Sequence, residues 1–263
     1  VLGVSGGEAA RVALFDKLST PGGAKSTTGR ETSGLESARA LGAGLWASVD
    51  RAGGDGSKSA MAAGLLTKAL DTPPTRDHEF GIIGLAALSK IRDPGSTPYV
   101  LGKLTSKRSD DRAAAAIAAG RVVRRDDADD VRRVVAALVK ESDPYARRMM
   151  LIALGRIGGP DAIAGLGAVE RSFDRQDRAF QLLGYGLAKA TEAAPMLRTA
   201  FETGGDQSLR GAAAIALGLL SDRESMPALV KHAANQRDPT FLAHLMWTFV
   251  VARERSAGET VEK

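Results

Sequence analysis

Residues 143–158 read Asp143-Pro144-Tyr145-Ala146-Arg147-Arg148-Met149-Met150-Leu151-Ile152-Ala153-Leu154-Gly155-Arg156-Ile157-Gly158. An aspartate able to cap a helix is followed by proline at the favoured first helical position. Apolar residues then recur at helical spacing, and glycine closes the run. The same frame returns along the chain. Asp143, Asp174, Asp206 and Asp238 stand at spacings near 32 residues, and Asp77 stands 66 residues, about two periods, before Asp143. Arg147, Arg178 and Arg210 each follow their aspartate by four places, and Gly155, Gly186 and Gly218 follow the arginines by eight. Leu166, Leu197 and Leu229 come eleven places after those glycines. A fixed period of this length marks a solenoid, in which each helical unit buries its apolar face on its neighbours. The fold class expected is all-α: a right-handed α-solenoid of about seven helical hairpins.

Taking the glycine as an anchor, the anchors are Ser89, Gly120, Gly155, Gly186, Gly218 and Val250, with spacings of 31, 35, 31, 32 and 32. The extra residues before Gly155 fall in the polar stretch Arg124 to Asp130, where a longer turn costs little. Each unit reads as two helices, the second opening at the aspartate. Breaker-rich segments such as Asp93-Pro94-Gly95, Gly158-Gly159-Pro160 and Gly204-Gly205 join them. Upstream the register blurs. Residues 8–18, 32–49 and 57–70 have helical spacing, while 19–30 and 51–56 are rich in small polar residues and read as loops. Residues 1–56 are therefore expected to hold irregular terminal repeats, and 57–263 one continuous array.

The run Arg147 to Gly158, and the run Arg210 to Gly218 continued by Leu219-Leu220-Ser221-Asp222, resemble the HEAT-repeat family, in particular the short bacterial units of the phycobilisome-lyase type. The resemblance covers roughly residues 77–256. It implies stacked HEAT-like hairpins, in which Asp143, Arg147, Asp174, Arg178, Asp206 and Arg210 form a buried structural ladder rather than a catalytic set. The pattern departs at Gly81, Arg108 and Leu242, so the ladder should weaken at both ends.

Composition excludes several classes. The chain contains no cysteine, which rules out disulfides and cysteine-based metal or redox sites. No apolar run reaches the ~18–20 residues needed to span a membrane. Thirty-six basic residues against 31 acidic ones give a net charge of +5. Most are interleaved, and the basic stretch from Lys103 to Arg156 also carries Asp110, Asp111, Asp126, Asp127, Asp129 and Asp130. That reads as a solvated, salt-bridged face rather than a nucleic-acid patch. Position 1 is Val, so the start reads as processed or truncated. The compartment stays open: a soluble protein, cytoplasmic or exported after processing.

Chemical motifs are sparse, and no cofactor site is recognisable. Gly22-Gly23-Ala24-Lys25-Ser26-Thr27 lacks the glycines that a phosphate loop requires before its lysine. His78-Glu79 is a single pair, whereas HEAT-repeat deoxyhypusine hydroxylases place several such pairs on successive helices around two irons. With His232 and His244 as the other histidines, a dinuclear site is short of ligands. A glycosylase-like groove for DNA would need basic inner helices, and here most inner positions are apolar.

Those inner positions carry the remaining signal. One place before the anchor stand Leu88, Leu154, Tyr185, Leu217 and Phe249; four places before stand Leu85, Leu151, Leu182, Ala214 and Met246. They share one helical face and are expected in the core. Three places before stand Ile117, Ile152, Leu183, Ile215 and Trp247, turned toward the groove. Seven places before, Ala113, Ala179, Gly211 and Ala243 are small, with Arg148 the exception. Such a stripe suits a peptide- or helix-binding groove; it equally suits tight packing between adjacent inner helices. The expected function is a non-enzymatic scaffold or adaptor that holds another protein on its concave face through Ile117, Arg148, Ile152, Leu183, Ile215 and Trp247. The alternatives are a nucleic-acid-binding solenoid or a phycobilisome-type lyase or assembly chaperone.

Overall fold

The computed structural model describes residues 56–71, 78–168, 174–235 and 237–260. The expected helices at 8–18 and 32–49, the loops before residue 56, Asp77 and Trp46 lie outside them. Among the described residues the regular elements are helical, twelve α-helices in consecutive hairpins with two short 3-10 turns. The architecture is the all-α stack of HEAT-like hairpins expected. The chain divides into two compact units, Val1–Arg124 and Arg125–Lys263. The division falls in the polar stretch where the anchor spacing lengthens to 35.

In the first unit, α1 (Gly56–Asp71) packs on α2 (His78–Ile91), and α2 on α4 (Ser109–Val122), with α3 (Thr97–Lys103) also against α4. Leu66, Leu85, Leu88, Val100, Leu101 and a run of alanines in α4 are fully buried. The small side chains of α4 let its neighbours approach closely. Arg108 precedes α4 and supplies no side-chain cap, at the point where the ladder has no aspartate.

The second unit holds four hairpins: α5 (Ala128–Lys140) with α6 (Pro144–Ile157), α7 (Pro160–Gly167) with α8 (Arg175–Ala188), α9 (Ala194–Thr203) with α10 (Gln207–Leu220), and α11 (Met226–Asn235) with α12 (Pro239–Thr260). The second helices α6, α8, α10 and α12 stack in that order. Each begins at its aspartate for a physical reason. Asp143, Asp174, Asp206 and Asp238 accept from the backbone N–H three residues on, at 2.9, 2.7, 2.9 and 2.7 Å. Each cap satisfies a donor that the helix leaves open and contributes about 1 kcal/mol. Leu166, Leu197 and Leu229 of the first helices are wholly buried beneath them.

The anchor glycines set the stacking distance. A Cβ on Gly155 would lie 2.7 Å from the Gly184 Cα, and one on Gly186 2.6 Å from the Ala216 Cα. On Gly218 it would lie 2.8 Å from the Thr248 carbonyl oxygen. Each anchor thus meets the residue two places before the next anchor. Seven places before an anchor, Gly211 meets His244, six places before its own. Matching early positions to early and late to late means that the second helices run parallel. Among the expected core positions, Leu151, Leu154, Leu182, Ala214 and Leu217 are buried. Tyr185 and Phe249 are half-buried. Met246 is not core: it is 55 % exposed, because no described helix follows α12 to cover it.

Candidate functional site

Ile152, Leu183 and Ile215 occupy one register position on α6, α8 and α10, and all three are half-buried between buried neighbours. Trp247 takes that position on α12 and is 55 % exposed. Ile117 is half-buried on α4, in the first unit. The small residues expected as an open groove floor are in part covered. Ala179 is buried, and the His244 ring of the next second helix lies against Gly211. At these places small size admits the next helix. Ala243 is exposed.

Arg148, expected to face a partner, instead spans to α8. Its Nε donates to Asp177 Oδ1 at 3.0 Å and its NH2 to Asp174 Oδ2 at 3.1 Å. Arg147 reaches the same carboxylate, with Nε 2.7 Å and NH2 2.6 Å from Asp177 Oδ2. Asp177 is wholly buried. Its backbone N–H caps on Asp174 while its side chain accepts from the Asp174 N–H, closing a capping box. The Asp177 N–H, ahead of the Arg148 charge, holds the Asp174 carboxyl below the usual carboxylate range.

The ladder therefore differs from the expected one. Its charged crossing between units joins Arg147 and Arg148 to Asp177 and Asp174. In the next unit Arg178 donates to Gln181 Oε1 at 2.9 Å, and Gln181, itself wholly buried, donates to the Leu166 carbonyl at 2.6 Å. Arg210 turns to a different task. It donates to the Phe201 carbonyl at 2.9 Å and lies over the rings of Phe201 and Phe241, 5.7 and 5.0 Å from their centroids. The aspartates Asp143, Asp174 and Asp206 are helix caps first. The 32-residue period reported equivalent positions correctly, but equivalent positions need not make equivalent bonds.

Two cross-links gave no signal in the repeat pattern. Arg198 of α9 grips Asp222 through Nε and NH2 at 2.8 and 2.6 Å and reaches Glu224 at 2.6 Å. The Arg198 bonds hold the Asp222 carboxyl below its ordinary range. His232 of α11 packs edge-on to Phe201, 4.9 Å between centroids, and faces the Arg210 NH2 through Nδ1 at 3.3 Å. Burial first, then the Arg210 and Lys231 charges, push the imidazole below its ordinary pKa of 6.5. The unfolded chain thus takes up a proton that the folded chain resists. Stability is whole above about pH 6.5 and falls as pH drops below it toward the folded value. Melting temperature is expected to decline from pH 7.5 to 5.5, a range in which ordinary carboxylates stay ionised. His232→Phe should flatten that decline. An equal slope in the variant would place the titrating group elsewhere.

His78 and Glu79 open α2, but their side chains lie outside the described residues, as does the whole stretch 22–27. Among the described residues no group of three or more His, Asp or Glu side chains is placed to hold a metal ion, so nothing described fits a dinuclear iron site. No described helix is long and apolar enough to cross a membrane.

No protein-family model matches the chain, and no curated protein matches its sequence. Among solved structures it is similar to human deoxyhypusine hydroxylase in complex with glycerol, with 19 % identity over 94 % of this chain and 97 % of that one, at a TM-score of 0.39. That protein is an enzyme. The expectation of a non-enzymatic scaffold is corrected accordingly: a HEAT-like helical stack is no ground for denying catalysis. At that identity and TM-score the likeness brings no activity, substrate or site to this chain. The chain is similar in fold class to a HEAT-like helical protein.

Proposed function

We propose that this chain binds another protein, as a peptide or helix laid along Ile152, Leu183, Ile215 and Trp247. The observation that supports the reading is the 55 % exposure of Trp247 at the end of a line of partly open apolar side chains. Tryptophan is among the residues most enriched at binding hot spots, and exposed apolar stripes on repeat helices suit helix-in-groove recognition. Asp174, half exposed and held by Arg148, supplies a polar group beside the line. The units themselves we assign to the short bacterial HEAT-like type, on the resemblance of Arg147 to Gly158.

Native co-purification followed by identification of the bound protein supplies the partner. Trp247→Ala is then expected to weaken binding by about 2 kcal/mol or more, and Leu183→Gln to weaken it as well. A partner bound equally well by both variants would refute the line. In the free protein, with Trp46→Phe removing the other indole, acrylamide should quench Trp247 readily. Nucleic acid is the competing ligand: mobility shifts at about 0.15 M salt should show weak, non-specific association at most. Sub-micromolar binding abolished by changing Arg121, Arg124 and Arg125 would transfer the function to nucleic acid.

A further inference from the structure

His232 ties α11 to both helices of the preceding hairpin. Its ring stands edge-on to Phe201 of α9, 4.9 Å between centroids, and its Nδ1 faces the NH2 of Arg210 on α10 at 3.3 Å. A guanidinium only donates, so Nδ1 accepts and the ring carries its proton on Nε2. The bond therefore exists only while the imidazole is neutral. A second proton turns Nδ1 into a donor and sets two cations against each other where the bond was.

Arg210 is not free to withdraw. Its Nε is held by the Phe201 carbonyl at 2.9 Å, and its guanidinium lies over the rings of Phe201 and Phe241, which stack on each other 6.5 Å apart. Both rings are wholly buried. The element that can move is α11. Leu229 is its one fully buried residue, against seven in α10, and scant buried apolar contact is what lets a helix open locally.

The other charges acting on the ring are Lys231 of its own helix, which opposes a proton as Arg210 does, and Glu202 of α9, which favours one. α12 turns the uncharged Phe241 toward the cluster. Burial first, then Arg210 and Lys231, outweigh Glu202, so the ring resists a proton while α11 is seated. On a released α11 it titrates near its ordinary 6.5. The tie is complete above about pH 6.5 and is lost as the pH falls toward the seated value.

We propose that His232 and Arg210 form a pH-sensitive latch that seats α11 on α9 and α10 and releases it on acidification, while α6, α8 and the α9–α10 hairpin stay folded. Release uncovers the edge of Phe201, so an apolar surface is presented in acid only. The latch is independent of the proposed binding line, since none of Ile152, Leu183, Ile215 and Trp247 belongs to it.

Melting reads the loss for the whole chain; hydrogen exchange locates it. The full chain is exchanged at pH 7.5, 6.5 and 5.5, with rates corrected for the intrinsic pH dependence of amide exchange. Opening of the α11 amides should rise severalfold from pH 6.5 to 5.5, with about tenfold the ceiling for one proton. Amides of α6 and α8 should stay protected far longer than those of α11 at all three values. His232→Gln keeps an oxygen for Arg210, His232→Phe keeps a ring on Phe201, and neither titrates. In both, α11 opening should be level with pH; the phenylalanine variant guards against a glutamine that loosens α11 outright. Opening level with pH in the unaltered chain overturns the latch. So does a rise that persists in either variant, which places the titrating group elsewhere, or a rise shared equally by α6, α8 and α11, which makes it unfolding of the whole unit.

Discussion

Replacing Asp177 with Ala is expected to destabilise the second unit by about 3–5 kcal/mol. The carboxylate is wholly buried and receives three guanidinium nitrogens, from Arg147 and Arg148. Removing it strands two cations whose side chains are only 15 % and 18 % exposed. It also opens the capping box at the start of α8. Part of the loss is recovered, because Arg148 keeps Asp174 and Arg147 keeps the Glu141 carbonyl at 3.3 Å, so the lower end of the range is the expected value. Urea denaturation measures it. A midpoint unchanged within error would mean that the buried carboxylate holds nothing in place. Arg148→Ala should cost less, since Arg147 still compensates Asp177.

Gly186→Val is the second large effect, about 3 kcal/mol or more. A Cβ on Gly186 already lies 2.6 Å from the Ala216 Cα and 3.1 Å from its carbonyl oxygen. Those are backbone atoms, so no rotamer change relieves the clash and α8 and α10 must part. Leu182, Ala214 and Leu217, all buried at that seam, lose contacts together. The control is Gly81→Ala in α2, where a Cβ meets nothing within 4 Å. Alanine there should stabilise by about 0.5–1 kcal/mol through helix propensity. If both glycines respond alike, close packing is not why the anchors are glycine.

The helical hairpins, the capping role open to the aspartates and the small size of the anchors were legible in the chain, because each depends on residues within one period. A cap needs only an aspartate and the N–H three places on. The core positions four places before the anchor follow from helix geometry and are buried at Leu151, Leu182 and Ala214, where a following helix covers them; one place before the anchor, Leu154 and Leu217 are buried but Tyr185 only half so. Met246 shows where that reasoning stops: its burial depends on a neighbour beyond α12, which no periodicity within the helix reports.

The charged contacts were not legible for a related reason. Arg147, Arg178 and Arg210 are equivalent in sequence, yet one meets a buried aspartate, one a buried glutamine and one a pair of aromatic rings. Their partners come from the following unit, the same helix and the flanking helices, and long side chains choose among them by reach and desolvation. Asp177 could have been suspected as the second half of a capping box, but its burial requires Arg147 and Arg148 to arrive together from α6. The period of apolar and small residues thus specifies the stack, since burial of a helical face is a local, additive preference. Which polar groups meet across the stack, and which apolar face is left open at its end, is settled only when the helices are side by side, because those choices depend on distances between residues some 30 positions apart.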